Sequence, residues 1–319
     1  MPRTLSRSEG RSGHGTVAGR VMAGRKVARV GRPCEAGEMD GKGIYFDNGI
    51  LNDLQQLRGV SAAEVGQLRD AAKWGAFTPK LSSVIIEEVL AALVKHEALA
   101  LDLFRLVSDL YGLETMIKPP DQLLTDDFVD LAFGDPLRPP EIQMPVALRW
   151  HLEALLHADA AEVAELTKAA VETSDEINDL WAKLKRAREQ SRAELGPKHQ
   201  AEPFEQYRRE IAPALVEAYA EKVGVWRKCR DEVGLEKLLS TPSIGMLAGA
   251  NASMIYARVV ENRRADRGDA GDQKHALMAS AADVFVTGDS ELRRILQRVP
   301  LARPEVVDLN QFLLTLGIR

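Results

Sequence analysis

Gly43-Ile44-Tyr45-Phe46 is a short apolar run broken at Asp47, after which Ile50, Leu51, Leu54 and Leu57 recur at helical spacing. The pattern predicts a strand, a turn and a helix. Ser61, with Glu64 three residues on, has the form of a capping box, so a second helix is expected through Leu68. Past Thr78-Pro79, residues Ile85, Ile86, Val89, Leu90 and Leu93 line one face of a third helix. Between Leu99 and Asn262 the spacing reads almost entirely as helix, interrupted at Lys118-Pro119-Pro120 and again across 134–145. Residues 150–195 are expected to form one long helix ended by Gly196-Pro197, with 203–233 as its antiparallel return. Thr241-Pro242 precedes a helix through Val259, and then the two periods alternate: helix 272–281, strand 284–287, helix 290–297, strand 305–309, helix 312–316.

Strands and helices alternating at both ends, with helices alone between, argue for an α/β domain of parallel strands split in sequence by a helical insertion. The expected division is 41–98 with 240–319 for the α/β domain and 99–239 for the helical insertion with its antiparallel hairpin. Residues 1–40 precede them. That segment is rich in Gly, Ser and Arg and has no apolar periodicity, the composition of a disordered stretch. A basic arm for nucleic acid is its functional alternative, and Met39 stands as an alternative natural start.

Composition narrows the class. Of 319 residues, 28% are charged and 45% hydrophobic, which is ordinary for a globular chain, while only 5% are aromatic, too few for base stacking across an open aromatic sheet. Two cysteines make neither a disulfide framework nor a metal cluster and fit a reducing compartment. No apolar run approaches the roughly 20 residues needed to span a bilayer, so a cytoplasmic protein is expected. Residues 1–33 carry a local charge of +7 within a total of −5, leaving −12 on the remainder. An acidic body repels phosphate, so any nucleic acid would have to be held by local basic patches.

In a parallel α/β sheet, ligands sit outside the carboxyl ends of the strands. Asp47 directly follows one predicted strand and Asp289 lies two residues beyond the end of another; Glu88 and Asp272 sit near helix N-termini, where carboxylates are favoured. Four acids gathered there would repel one another unless a cation bound, and oxygen ligands of this kind suit Mg²⁺ or Mn²⁺. Such an ion polarises a phosphodiester and activates a water, which implies hydrolysis without a covalent enzyme intermediate.

At these residues the chain resembles the PIN-domain nucleases. The resemblance lies in Ile44-Tyr45-Phe46-Asp47, in the Ser-to-Glu spacing from Ser82 to Val89, in Asp-x-x-His at Asp272 to His275, and in Ala-Asp-x-x-x-Thr-x-Asp at Ala282 to Asp289. It covers about 130 residues in two blocks and implies a Rossmann-like three-layer α/β/α sandwich with a central parallel sheet, interrupted by the long helical insertion. It also implies a Mg²⁺/Mn²⁺-dependent endoribonuclease with Asp47, Glu88, Asp272 and Asp289 as metal ligands and catalytic acids. Asn48 and Thr287 would support them, Thr287 by orienting a water or a neighbouring carboxylate, and His275 would pack behind the ligands. RNA is the implied substrate, DNA remaining open, and the helical insertion is a candidate surface for a protein partner or self-association. Gly49 departs from the family pattern, and the insertion is far longer than in compact toxin-type members.

Plainer readings stand beside these. Asp47 and Asp289 each have the position of a helix N-cap. Glu87 competes with Glu88, and Asp269 with Asp272. Lys183, Lys185, Arg186, Arg188, Arg192 and Lys198 read first as a solvated face and second as a phosphate-contacting arm. A catalytically silent PIN-like scaffold that binds RNA or protein is the alternative function. A phosphotransfer enzyme with Asp47 as nucleophile is the third, weakened by Gly49 where a second Asp would be wanted.

Overall fold

The computed structural model describes residues 39, 41–93, 97–155, 203–261, 269–302 and 304–319. The basic N-terminal segment, the hairpin tip with its lysines and arginines, and the side chain of Asp269 lie outside the described residues.

The chain runs β1 (Gly43–Phe46), α1 (Asn48–Gln55), α2 (Ala62–Lys73), β2 (Thr78–Pro79), α3 (Ser83–Leu93) and α4 (Glu97–Tyr111). It continues with β3 (Thr115–Ile117), α5 (Pro120–Phe133), β4 (Glu141–Gln143) and α6 (Val146–Leu155). After the undescribed stretch come α7 (Phe204–Val223), α8 (Leu235–Ser240), α9 (Pro242–Val259), α10 (Asp269–Ala279), β5 (Val284–Val286), α11 (Ser290–Gln297), β6 (Glu305–Val307) and α12 (Leu309–Thr315).

Local chemistry sets many of these boundaries. Ser61 and Glu64 form the reciprocal capping box of α2, and Asp308 with Gln311 forms another at α12. Pro120 occupies the first turn of α5, where no amide donor is missed, and Gly134 closes that helix with φ 71°, a left-handed conformation that costs glycine least.

Four strands make one parallel sheet in the order β2-β1-β5-β6, with Tyr45 opposite Phe285 and Phe46 opposite Val286. The fold is therefore mixed α/β, a four-stranded parallel sheet flanked by helices. Successive strand residues point to opposite faces, and each face has its own aromatic cluster. Phe46 packs edge-on with Phe77, Tyr111 and Phe312 on one side, while Tyr45 stacks with Phe285 and meets His275 on the other.

Two expectations need correction, and one strand was not expected at all. Thr78–Pro79 is a strand: its two residues extend the sheet at the edge, where a proline removes no needed ladder donor. The stretch 99–239 is not helix alone, since β3 and β4 pair antiparallel there, and Ile117 bridges to Ser82 at the start of α3. The helix expected across 203–233 ends at Gly224, again left-handed at φ 80°, and a single helical turn (Trp226–Lys228) continued as a π-helix (Cys229–Val233) follows it. In addition, α4, within the expected insertion, packs on α1, α2 and α3 and supplies Tyr111 to the sheet's core. Among the described residues, no helix is long and apolar enough to cross a membrane.

Candidate functional site

From β1 the chain moves to β2 on one side, and β5 then enters on the other, so the gap between the carboxyl ends of β1 and β5 is the point where the winding reverses. Asp47 and Thr287 meet there. The Thr287 hydroxyl, fully buried, donates to one carboxylate oxygen of Asp47. The Ile50 amide donates to the other at 2.7 Å, which makes Asp47 the N-cap of α1 as well. Thr287 Oγ1 in turn accepts the Asp289 amide at 3.0 Å. Asp289 is exposed and caps α11, its Oδ1 accepting from the amides of Glu291 at 2.6 Å and Leu292 at 2.9 Å. The capping reading and the site reading thus describe the same two side chains.

Beside them, Asn48 keeps a buried Oδ1 that finds no hydrogen-bond partner among the described residues. Gly49 acquires a reason too. A Cβ at that position would lie 3.1 Å from Asp47 Oδ1, so the glycine leaves the carboxylate uncrowded. Arg293, one turn beyond Asp289, donates to the Thr287 carbonyl at 3.2 Å and reaches Asp308 at 3.4 Å, fastening the ends of β5 and β6 together.

Glu88 arrives from α3 and meets α10. Its Oε2 lies 3.1 Å from His275 Nε2, and Oε1 borders Gly271, where an added Cβ would stand 3.2 Å away. Glu87 instead pairs with Lys274 at 2.9 Å. Behind Glu88 runs a buried relay: His275 Nδ1 is 2.8 Å from the Tyr45 hydroxyl, itself 3.0 Å from Ser82 Oγ, which also caps α3 by accepting from the Ile85 amide at 3.3 Å.

The electrostatics tie three of the four acids together. Burial alone would depress the pKa of His275; the charge and hydrogen bond of Glu88, then Asp47 and Asp272, more than reverse this and leave it raised. In its protonated form the ring would donate from both nitrogens, to Tyr45 and to Glu88, leaving the Tyr45 hydroxyl to donate onward to Ser82. Burial also holds the Asp47 carboxyl above the usual range; Thr287, the Ile50 amide and His275 pull it down, and Glu88 pushes it up. Tyr45 is driven well above its ordinary value, first by burial, and stays a neutral hydroxyl.

The donors at this edge are carboxylates, an amide oxygen and a hydroxyl, a set that suits a hard divalent cation, and the orphaned Asn48 oxygen is the kind of group such an ion would satisfy. Among the described residues, however, no three of His, Cys, Asp and Glu stand together as a ready-made metal-holding group. The structure brings Asp47 to Thr287 and Glu88 to His275, sets Asp272 in the field of His275, and keeps Asp289 at the rim.

Sequence reasoning overlooked Tyr45, treating it as one more apolar strand residue. Its signal was a lone hydroxyl in an apolar strand, which needs a buried partner. Comparison with protein-family models, curated proteins and solved structures gave no match.

Proposed function

We propose that this chain is a PIN-like, metal-dependent nuclease that cuts single-stranded RNA at the carboxyl edge between β1 and β5, on a three-layer Rossmann-like α/β/α frame. The observation that carries the reading is the buried Asp47 carboxylate, fixed by Thr287 across the two strands at the switch point. Its pKa is raised, first by burial and further by the charge of a second acid, Glu88.

Asp47, Glu88, Asp272 and Asp289 would hold Mg²⁺ or Mn²⁺, with Asn48 beside them; Glu88 is partly exposed and Asp289 exposed. The bound ion supplies charge to the scissile phosphate and lowers the pKa of an attacking water. The protein's own contribution is positional. Thr287 fixes the Asp47 oxygens, His275 aims Glu88, and Tyr45 with Ser82 locks the imidazole ring. A silent, RNA-binding scaffold is the second reading, favoured by one observation: His275 lies 3.1 Å from Glu88, and with its pKa raised by the charges of Glu88, Asp47 and Asp272 it can itself offset them.

The two separate in one experiment. Labelled single-stranded RNA and DNA are incubated with the protein in Mn²⁺ or Mg²⁺, alongside Asp47→Asn. Removing a carboxylate that burial penalises should leave the thermal midpoint equal or higher, while cleavage drops by about 100-fold or more. Cleavage undiminished in Asp47→Asn refutes the site, and binding without cleavage in the unaltered protein selects the scaffold.

A further inference from the structure

The Glu88–His275 contact is the inner of two adjacent bridges between α3 and α10. Glu87, one residue earlier on α3, pairs with Lys274, one residue earlier on α10, at 2.9 Å. Gly271, Lys274 and His275 stand at i, i+3 and i+4, so one face of α10 meets both glutamates. The two bridges differ in depth. The His275 side chain is 6% exposed, whereas those of Lys274 and Glu87 are 28% and 46% exposed. The outer bridge therefore lies toward solvent, beside Glu88.

Depth decides what each bridge can do. A buried charge pair is held by its low-dielectric surroundings, but an ion pair in water contributes little and opens at little cost. Lys274 carries its ammonium on a flexible four-carbon stem with three donors, so it can leave the Glu87 carboxylate for another oxyanion within reach. A phosphate oxygen is such an acceptor, and the bond it makes is charge-assisted like the one it replaces. Position gives the exchange a purpose. Lys274 is two residues from Asp272 on α10, and Glu87 directly precedes Glu88 on α3. A polyanion lying across those acids would carry its neighbouring phosphates past this pair. Those phosphates need a cation supplied by the protein, because the chain beyond residue 33 carries −12 and repels them.

We propose that Lys274 grips the sugar-phosphate backbone of a single-stranded nucleic acid beside the scissile bond, with Glu87 holding its ammonium until a strand arrives. The assignment rests on the nuclease reading for the site that the strand crosses. A lone phosphate contact carries no information about base or sugar, so RNA and DNA single strands are gripped alike. The lysine and the glutamate then act with opposite sign, one attracting the strand and the other competing with it. A bridge that merely joined two helices would lose by the removal of either partner.

Binding is measured by fluorescence anisotropy on the full chain at low salt in EDTA, with fluorescein-labelled oligo(U) and oligo(dT), so that cleavage plays no part. Lys274→Gln should weaken binding of both about fivefold and reduce the slope of log K against log salt by about 0.7, while Lys274→Arg keeps most of the affinity. Glu87→Gln should bind several-fold tighter. Arg58→Gln makes the same charge change past the end of α1 remote from Asp47 and should leave binding within about twofold, which separates a contact from an effect of net charge. Thermal midpoints should stay within about 2 °C of the unaltered protein, because these pairs are exposed. A Lys274→Gln that binds like the unaltered protein, a Glu87→Gln that binds no tighter, or an equal loss in Arg58→Gln each overturn the contact. So do a loss confined to one oligonucleotide and the absence of binding by the unaltered chain. Cleavage in Mn²⁺ with unchanged KM in Lys274→Gln would sink the contact alone; lysine-dependent binding without cleavage would sink the nuclease alone.

Discussion

Replacing Thr287 with valine keeps the branched shape of a fully buried side chain and deletes one hydroxyl. That hydroxyl makes two hydrogen bonds, donating to Asp47 and accepting from the Asp289 amide at 3.0 Å. A hydrogen bond to a charged group is worth about 1.5–3 kcal/mol, and freeing an amide on an exposed residue that can turn to water costs under about 1 kcal/mol. Thr287→Val should therefore lose about 1.5–4 kcal/mol. Thr287→Ser keeps the hydroxyl and removes one methyl, at a cost of about 1 kcal/mol. Urea unfolding at neutral pH with a chelator present measures both. The pH dependence supplies a second check. Burial raises the Asp47 pKa and the Thr287 hydroxyl pulls it back, so deleting the hydroxyl raises it further. The valine deficit is then full where Asp47 is ionised and shrinks as pH falls through its folded-state pKa. A valine variant no less stable than the serine variant, or a deficit independent of pH, refutes the idea that this hydroxyl holds a charged Asp47.

The folded-state pKa of His275 is raised, so its contribution is fully present below the unfolded value of about 6.5 and is lost as pH rises through the folded value. In metal-free protein, the unfolding midpoint should fall across that window and His275→Gln should flatten the fall; an equal slope in the variant rejects the Glu88–His275 pairing. Two glycines should respond with opposite sign. A Cβ on Gly245 would run into the Leu239 carbonyl, so Gly245→Ala should lose about 3 kcal/mol in denaturant unfolding, whereas Gly66, inside α2 with open space around it, should gain about 0.5–1 kcal/mol as alanine.

Much of the local structure was legible along the chain. The apolar run ending at Asp47, the Ser61–Glu64 box and the helix opening at Pro242 follow from residues within a few positions of one another, as do the short strand at Val284 and the cap at Asp289. The two-residue strand β2 was not, because it has too few residues for a period of two to show and is held by the backbone of β1. The β3–β4 pair was hidden for a similar reason: three-residue strands joined through a long helix leave no hairpin signal.

The sequence by itself determined which residues begin and end helices and strands and which acids follow a strand or open a helix, because caps, turns and amphipathic faces depend on near neighbours. Only the tertiary structure decided that β1 lies between β2 and β5, that Thr287 serves Asp47 across 240 positions, that Tyr45 meets His275 across 230, and that Glu88 rather than Glu87 faces that histidine. Those contacts depend on the order in which strands pair and on the face each helix turns to the sheet. Both are set by burying the whole core at once, and no short stretch of chain encodes them.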